Sequence, residues 1–215
     1  MYSLIGLLGG TFNPVHFGHL RMAQELATQL HFDEVRFIPS ANPPHKTTPQ
    51  VSAQHRARMV QLAISDNPLF ICDTQELNRK GASYTIDTLI ALQEELGNAV
   101  SLCLIMGSDA FMHLNTWHRW QELLNYCHII LVQRPDKPTT IAPLLAELEV
   151  FLHEHYTQDM HELRLKKAGF IHMQKITAHE ISSTAIREQL KLSQEPYYLM
   201  PTNVMDYIEE NSLYT

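Results

Sequence analysis

The segment Val100-Ser101-Leu102-Cys103-Leu104-Ile105-Met106-Gly107 constrains this chain more than any other feature of its sequence. It is apolar at nearly every position, too short for a buried helix, and closed by a glycine. A strand of that kind must be covered on both faces, as at the centre of a parallel sheet. Weaker runs of the same type occur at 3–8, 34–38, 69–73, 128–133 and 169–174. Between them lie segments with helical periodicity. In 18–30, Leu20, Ala23, Leu26, Ala27 and Leu30 share one face, and 52–66 opens at Ser52, a suitable N-cap. Further helical patterns cover 84–96, 117–126, 183–192 and 204–211, whereas 136–168 is irregular. Strand and helix alternating over the first 135 residues predict an α/β fold. The expected form is a Rossmann-like open parallel sheet with helices on both faces. A small helical portion at about 181–215 completes a single domain, 1–215.

Charge narrows the partners. The chain has 215 residues, with 16 Lys+Arg against 23 Asp+Glu and a formal net charge of -7. Residues 1–58 hold five of the basic and three of the acidic residues, a local +2 that leaves -9 for the rest. A globally acidic chain is a poor general binder of nucleic acid, while a basic excess at one end suits a small anionic ligand. No apolar run approaches the ~20 residues of a membrane span. The first residues carry an apolar stretch without a basic leader or a cleavage site. Cys72, Cys103 and Cys127 are widely spaced and odd in number, which fits reduced thiols in the cytoplasm and argues against a zinc ribbon or disulfide scaffold.

Ligands of open α/β sheets bind beyond the carboxyl ends of the strands, near a switch in strand order. Attention therefore falls on the residues just after each strand. After the first comes Gly9-Gly10-Thr11-Phe12-Asn13-Pro14-Val15-His16-Phe17-Gly18-His19. Paired glycines let a ligand approach the backbone, and the next helix puts His16 and His19 at its N-terminus, where the dipole and free N–H groups attract anions. Imidazole donates hydrogen bonds to phosphate oxygens in either protonation state. Alone, H-x-x-H is also a surface pair or two zinc ligands, but no zincin glutamate and no third ligand stand nearby. The second unusual segment is Ile181-Ser182-Ser183-Thr184-Ala185-Ile186-Arg187, an N-capped helix start with an arginine one turn inside. Read without context, that arginine is simply solvated. Pro43-Pro44 stiffens a polar loop that presents His45 and Lys46; Gly107-Ser108-Asp109 follows the central strand.

The glycine and histidine segment resembles the signature of the nucleotidylyltransferase superfamily with its H-x-G-H element. More narrowly, it is similar to the bacterial nicotinate-nucleotide adenylyltransferases, and the resemblance extends from Leu8 to the terminal helix. Family members often have Asp where this chain has Asn13. The second segment resembles the family's I-S-S-T-x-I-R motif at every fixed position, and Pro43–Lys46 resembles P-P-H-[KR].

The resemblance implies transfer of the adenylyl group of ATP to nicotinate mononucleotide, with pyrophosphate leaving and Mg2+ accompanying ATP. His16 and His19 would be catalytic. Gly9, Gly10, Thr11, Phe12, Gly18, Gly107, Asp109, Ser182, Ser183, Thr184 and Arg187 would bind ATP. His45, Lys46, Tyr84, Thr85, Trp117 and Arg134 would bind the acceptor, with Trp117 stacking on the pyridine ring. His118 stands where some relatives have Tyr. The implied partners are these small molecules, with no nucleic acid, membrane or protein-bound metal. Related transfers to nicotinamide mononucleotide or phosphopantetheine, and a non-catalytic nucleotide sensor on the same fold, are the competing readings.

Overall fold

Period-two alternation splits each central strand between two cores. In the computed structural model, which describes residues 1–41, 49–79, 81–133, 144–177 and 180–215, strand β1 (Ser3–Gly10) turns Leu4 and Leu8 to one side and Ile5 and Leu7 to the other. Strand β4 (Val100–Gly107) does the same with Cys103 and Ile105 against Leu102, Leu104 and Met106. The remaining strands are β2 (Glu34–Pro39), β3 (Phe70–Cys72), β5 (His128–Gln133), β6 (Tyr156–Thr157) and β7 (Ile171–Lys175). They form one seven-stranded sheet in the order β3-β2-β1-β4-β5-β7-β6, with every neighbouring pair parallel.

Helices α1 (Phe17–Gln29), α2 (Ala53–Ile64), α7 (Ser183–Lys191) and α8 (Thr202–Glu210) cover one face with Leu26, Met59, Ile186 and Val204. On the other face lie α3 (Thr85–Leu96) and α5 (Ala146–His155), with Leu89, Leu92 and Leu148. The short helices α4 (Ser108–Phe111) and α6 (Glu162–Leu165) follow β4 and β6. This is the doubly covered parallel sheet expected from the sequence. No described helix is long and apolar enough to cross a membrane.

Three details differ from expectation. Residues 117–126 form no α-helix: the backbone makes 3₁₀ turns at Leu114–Thr116 and Trp120–Asn125, with Arg119 at φ 52 between them. A left-handed residue there is incompatible with a continuing helix. The irregular stretch contains α5, β6 and α6; β6, at two residues, is too short to leave a periodic signal. The terminal helix starts earlier than expected, directly after Pro201, whose fixed φ suits a helix entrance.

The chain lays β2 and β3 to one side of β1 and returns to place β4 on the other. The switch in strand order therefore lies between β1 and β4. The loops after Gly10 and Gly107 border that crevice.

Candidate active site

His16 is the N-cap residue of α1, with extended backbone and a side chain that makes no capping bond. It is buried, and its ring lies against His19 with centroids 3.8 Å apart. Phe12, buried and at φ 48, meets His19 edge-on at 5.1 Å. The two imidazoles thus pack together, their planes tilted by 33°, at the positive end of α1. Glycine at position 18 leaves room for His16: a Cβ there would sit 3.0 Å from Cε1 and Nδ1 of that ring and 3.5 Å from Cβ of Ile181. At position 10 it would sit 2.9 Å from the Phe12 ring. Among the described residues, Gly9 and Gly107 have no neighbour within 4 Å of such a carbon.

The first N–H of α1 is not open to a ligand. Phe17 N–H donates to the Leu199 carbonyl at 2.9 Å, and His19 N–H to the His16 carbonyl at 3.0 Å. Anion attraction at this end therefore rests on the dipole and the imidazoles more than on those two amides, a correction to the sequence expectation.

The second motif is fastened to the first. Ser182 caps α7 by accepting from Ala185 N–H at 3.2 Å. The Ser183 hydroxyl donates to the Pro14 carbonyl at 2.9 Å. Arg187 donates to the Asn13 carbonyl at 2.8 Å and to the Thr184 hydroxyl at 3.2 Å. Segments nearly the whole chain apart thus build one cradle, and Arg187, solvated in a reading of its helix alone, is anchored to the loop with N–H groups to spare. Tyr214 closes the underside by donating to Asn13 Oδ1 at 2.7 Å. Burial pushes its hydroxyl pKa upward, against the pull of the Arg187 and Arg56 charges.

Across the crevice, β4 ends at Gly107, and Asp109 is exposed in the first turn of α4. Tyr84 is the residue from which α3 starts, with Thr85 its first member. Tyr84 packs on His118 with ring centroids 4.5 Å apart, and the adjacent Trp117 is half-buried against the core of that face. His118 therefore joins the two segments expected to meet the acceptor. His45, Lys46 and Arg134 lie outside the described residues.

Two further residues shape the site and carry no mark in the sequence. Glu76 is buried and accepts from the Thr88 hydroxyl at 2.9 Å; burial raises its pKa, while bonds from Ser83 and the Ala41 backbone oppose the rise. It ties the entry of α3 to the loop after β2. Arg56 on α2 is also buried, and it bonds to the loop carbonyls of Thr11 and Ser40. Both sit in helical contexts where a charged residue reads as solvated, and only the tertiary arrangement buries them.

A parallel sheet with a histidine pair after its first strand and an arginine-bearing cradle at the switch point defines a nucleotidylyltransferase. Residues 7–189 match the family model of cytidylyltransferase-like proteins. Over 214 residues the chain is 45% identical to a probable nicotinate-nucleotide adenylyltransferase of Aeromonas salmonicida, covering 98% of this chain and 96% of that one. A protein of Hydrogenovibrio crunogenus with the same description is 45% identical over 211 residues, 98% and 97% of the two chains. The chain belongs to the nicotinate-nucleotide adenylyltransferase family. The fold is shared with the nicotinic acid mononucleotide adenylyltransferase of Plasmodium falciparum solved with NaAD, at 19% identity and a TM-score of 0.71 over 99% and 98% of the chains.

Proposed function

We infer that this chain transfers the adenylyl group of ATP to nicotinate mononucleotide, forming nicotinate adenine dinucleotide and pyrophosphate, with residues 1–215 as one catalytic unit. The observation that carries the reading is the closely packed His16 and His19 pair at the start of α1, beside the loop that Arg187 holds. An oxygen of the mononucleotide phosphate attacks the α-phosphorus of ATP. The bond from that phosphorus to the bridging oxygen breaks, and pyrophosphate departs with the electron pair. The acceptor is already an anion at neutral pH, so no protein nucleophile is needed.

The barrier lies in bringing two anions together and in the charge that builds on the transferring group. Fixed donors and fixed positions supply that stabilisation. His16 and His19 orient and neutralise the α- and β-phosphates, and Arg187 adds a planar fork to the same oxygens. Trp117 and Tyr84 receive the pyridine ring opposite. Among the described residues no three His, Cys, Asp or Glu side chains are grouped to hold a metal ion. The proposed substrate is ATP as its magnesium complex, in which the ion would be carried mainly by the phosphates. The reading places the enzyme in the cytoplasm, where its cysteines stay reduced. Burial raises the Cys72 thiol to about 11 and the Cys127 thiol to about 12, which disfavours the reactive thiolate at neutral pH.

Product analysis tests this. Incubation with MgATP and nicotinate mononucleotide should give dinucleotide and pyrophosphate in equal amounts. Inorganic phosphate with ADP instead would mean transfer of a different group and would refute the mechanism.

A further inference from the structure

Two arginines are buried among the described residues, Arg36 and Arg56, and they are treated differently. Arg36 is 8% exposed and donates to Glu34, Asp73 and Glu95, so its charge is more than matched. Arg56 is 1% exposed, and its partners among the described residues are carbonyl oxygens. Nη1 donates to Thr11 at 2.6 Å, Nη2 to Ser40 at 2.7 Å and more weakly to Ala41 at 3.4 Å, and Nε to Val51 at 3.3 Å. Among the described residues it has no carboxylate partner. Burial alone lowers its pKa, with only the Tyr214 hydroxyl acting in the other direction.

A dehydrated charge without a counter-ion is expensive to keep. Its position indicates what compensates it. Thr11 lies in the loop after β1 and Ser40 in the loop after β2, and the two loops already touch where Ser40 N–H donates to the Gly10 carbonyl at 2.9 Å. Arg56 grips the loop at Thr11 while Arg187 grips it two residues on, at the Asn13 carbonyl. The side chain of Asn13 is a neutral amide, held by the Tyr214 hydroxyl. Two guanidinium groups therefore hold the backbone that leads to His16, and among the described residues neither has a carboxylate partner.

We propose that Arg56 is a positioning residue of the transfer reaction. Its fork locks the loops after β1 and β2 together, and its unmatched charge is balanced by the polyphosphate that binds above Thr11. This rests on the adenylyltransferase reading and adds to it a residue that touches neither substrate.

Inorganic tripolyphosphate is the probe for the charge, and turnover with nicotinate mononucleotide is the probe for the lock. Arg56→Met keeps the stem and removes both functions. It should weaken tripolyphosphate binding about tenfold or more, by analogy with losing one charged donor to phosphate. Arg56→Lys keeps the charge and loses the fork. It should hold tripolyphosphate within about threefold of wild type while kcat stays at least about tenfold low, since an ammonium cannot span both carbonyls and the loop shifts. A merely structural arginine would not separate the two readouts in this way. Folded Arg56→Met with wild-type binding and turnover overturns the proposal. If that variant does not fold, Arg56→Lys decides: wild-type kcat overturns the lock, and lost tripolyphosphate affinity overturns the charge. Wild-type protein that ignores tripolyphosphate also overturns the charge. Wild-type protein that binds tripolyphosphate yet makes no dinucleotide would instead undo the functional reading.

Discussion

Gly18→Ala separates the fold from the chemistry with a single methyl group. Position 18 is the second residue of α1 and has no left-handed φ, so alanine is allowed there by the backbone and gains at most about 1 kcal/mol of helix propensity. Opposing this, the new Cβ falls 3.0 Å from two ring atoms of His16, inside ordinary contact distance. The imidazole must yield by a few tenths of an ångström, and it is buried against His19 with little room to do so. Propensity and crowding nearly cancel in stability, so the melting temperature should move by no more than about 4 °C. Catalysis has no such cancellation. A 1 Å misplacement costs on the order of 10²-fold, so a shift of a few tenths should cost roughly 3- to 10-fold in kcat. Initial rates of pyrophosphate release at saturating ATP and acceptor, with thermal melts on the same preparation, measure both quantities. Wild-type kcat would refute the claim that Gly18 sets the position of His16. A melting point lower by about 10 °C or more would show that the strain falls on the fold instead.

The same geometry sets other outcomes. His19→Ala should lower kcat by about 10²-fold or more with folding intact, as for the loss of a preorganised donor, and steady-state rates will show it. Trp117→Ala should raise KM for the mononucleotide by roughly tenfold or more and leave KM for ATP nearly unchanged, since stacking on a base is worth about 1–3 kcal/mol. His128 is buried under β7, accepting Phe170 N–H at Nδ1 and facing the Lys166 carbonyl at Nε2, and burial holds its pKa below the ordinary value. The unfolded chain then takes up a proton that the folded one refuses. Stability from this group is complete above about pH 6.5 and is lost as pH falls from there toward the depressed folded value. Melting temperatures of His128→Asn should decline less than wild type between about pH 6.5 and 5.

Much of the fold is legible in the sequence because burial on two faces leaves an unbroken apolar run, as in β4 and β5, and because Ser52 and Ser182 are caps whose side chains do accept the expected helical N–H groups. The histidine pair is legible for a local reason as well: Gly18, its neighbour in the chain, makes room for His16. Other parts depend on contacts distant in sequence. Arg187 on the Asn13 carbonyl, Tyr214 on the Asn13 side chain and Arg56 on the Thr11 carbonyl join residues 174, 201 and 45 positions apart. No local pattern announces such pairings, and Arg56 within an amphipathic helix gives no sign that it is buried. The 3₁₀ turns around Trp117 imitate a helix in sequence because Leu123 and Leu124 supply apolar positions that a helix would also use, while the left-handed Arg119 that interrupts it has no compositional mark.

The central claim concerns the acceptor as much as ATP. It is tested most directly by pyrophosphate release under MgATP with nicotinate mononucleotide, its amide analogue and phosphopantetheine, each at the same concentration. Turnover should be fastest with the nicotinate acid and absent with phosphopantetheine, if Trp117 and Tyr84 receive the pyridine ring as proposed. Turnover with phosphopantetheine alone would keep the ATP cradle and contradict the acceptor pocket. Folded protein that binds ATP and is silent with all three would contradict the enzyme.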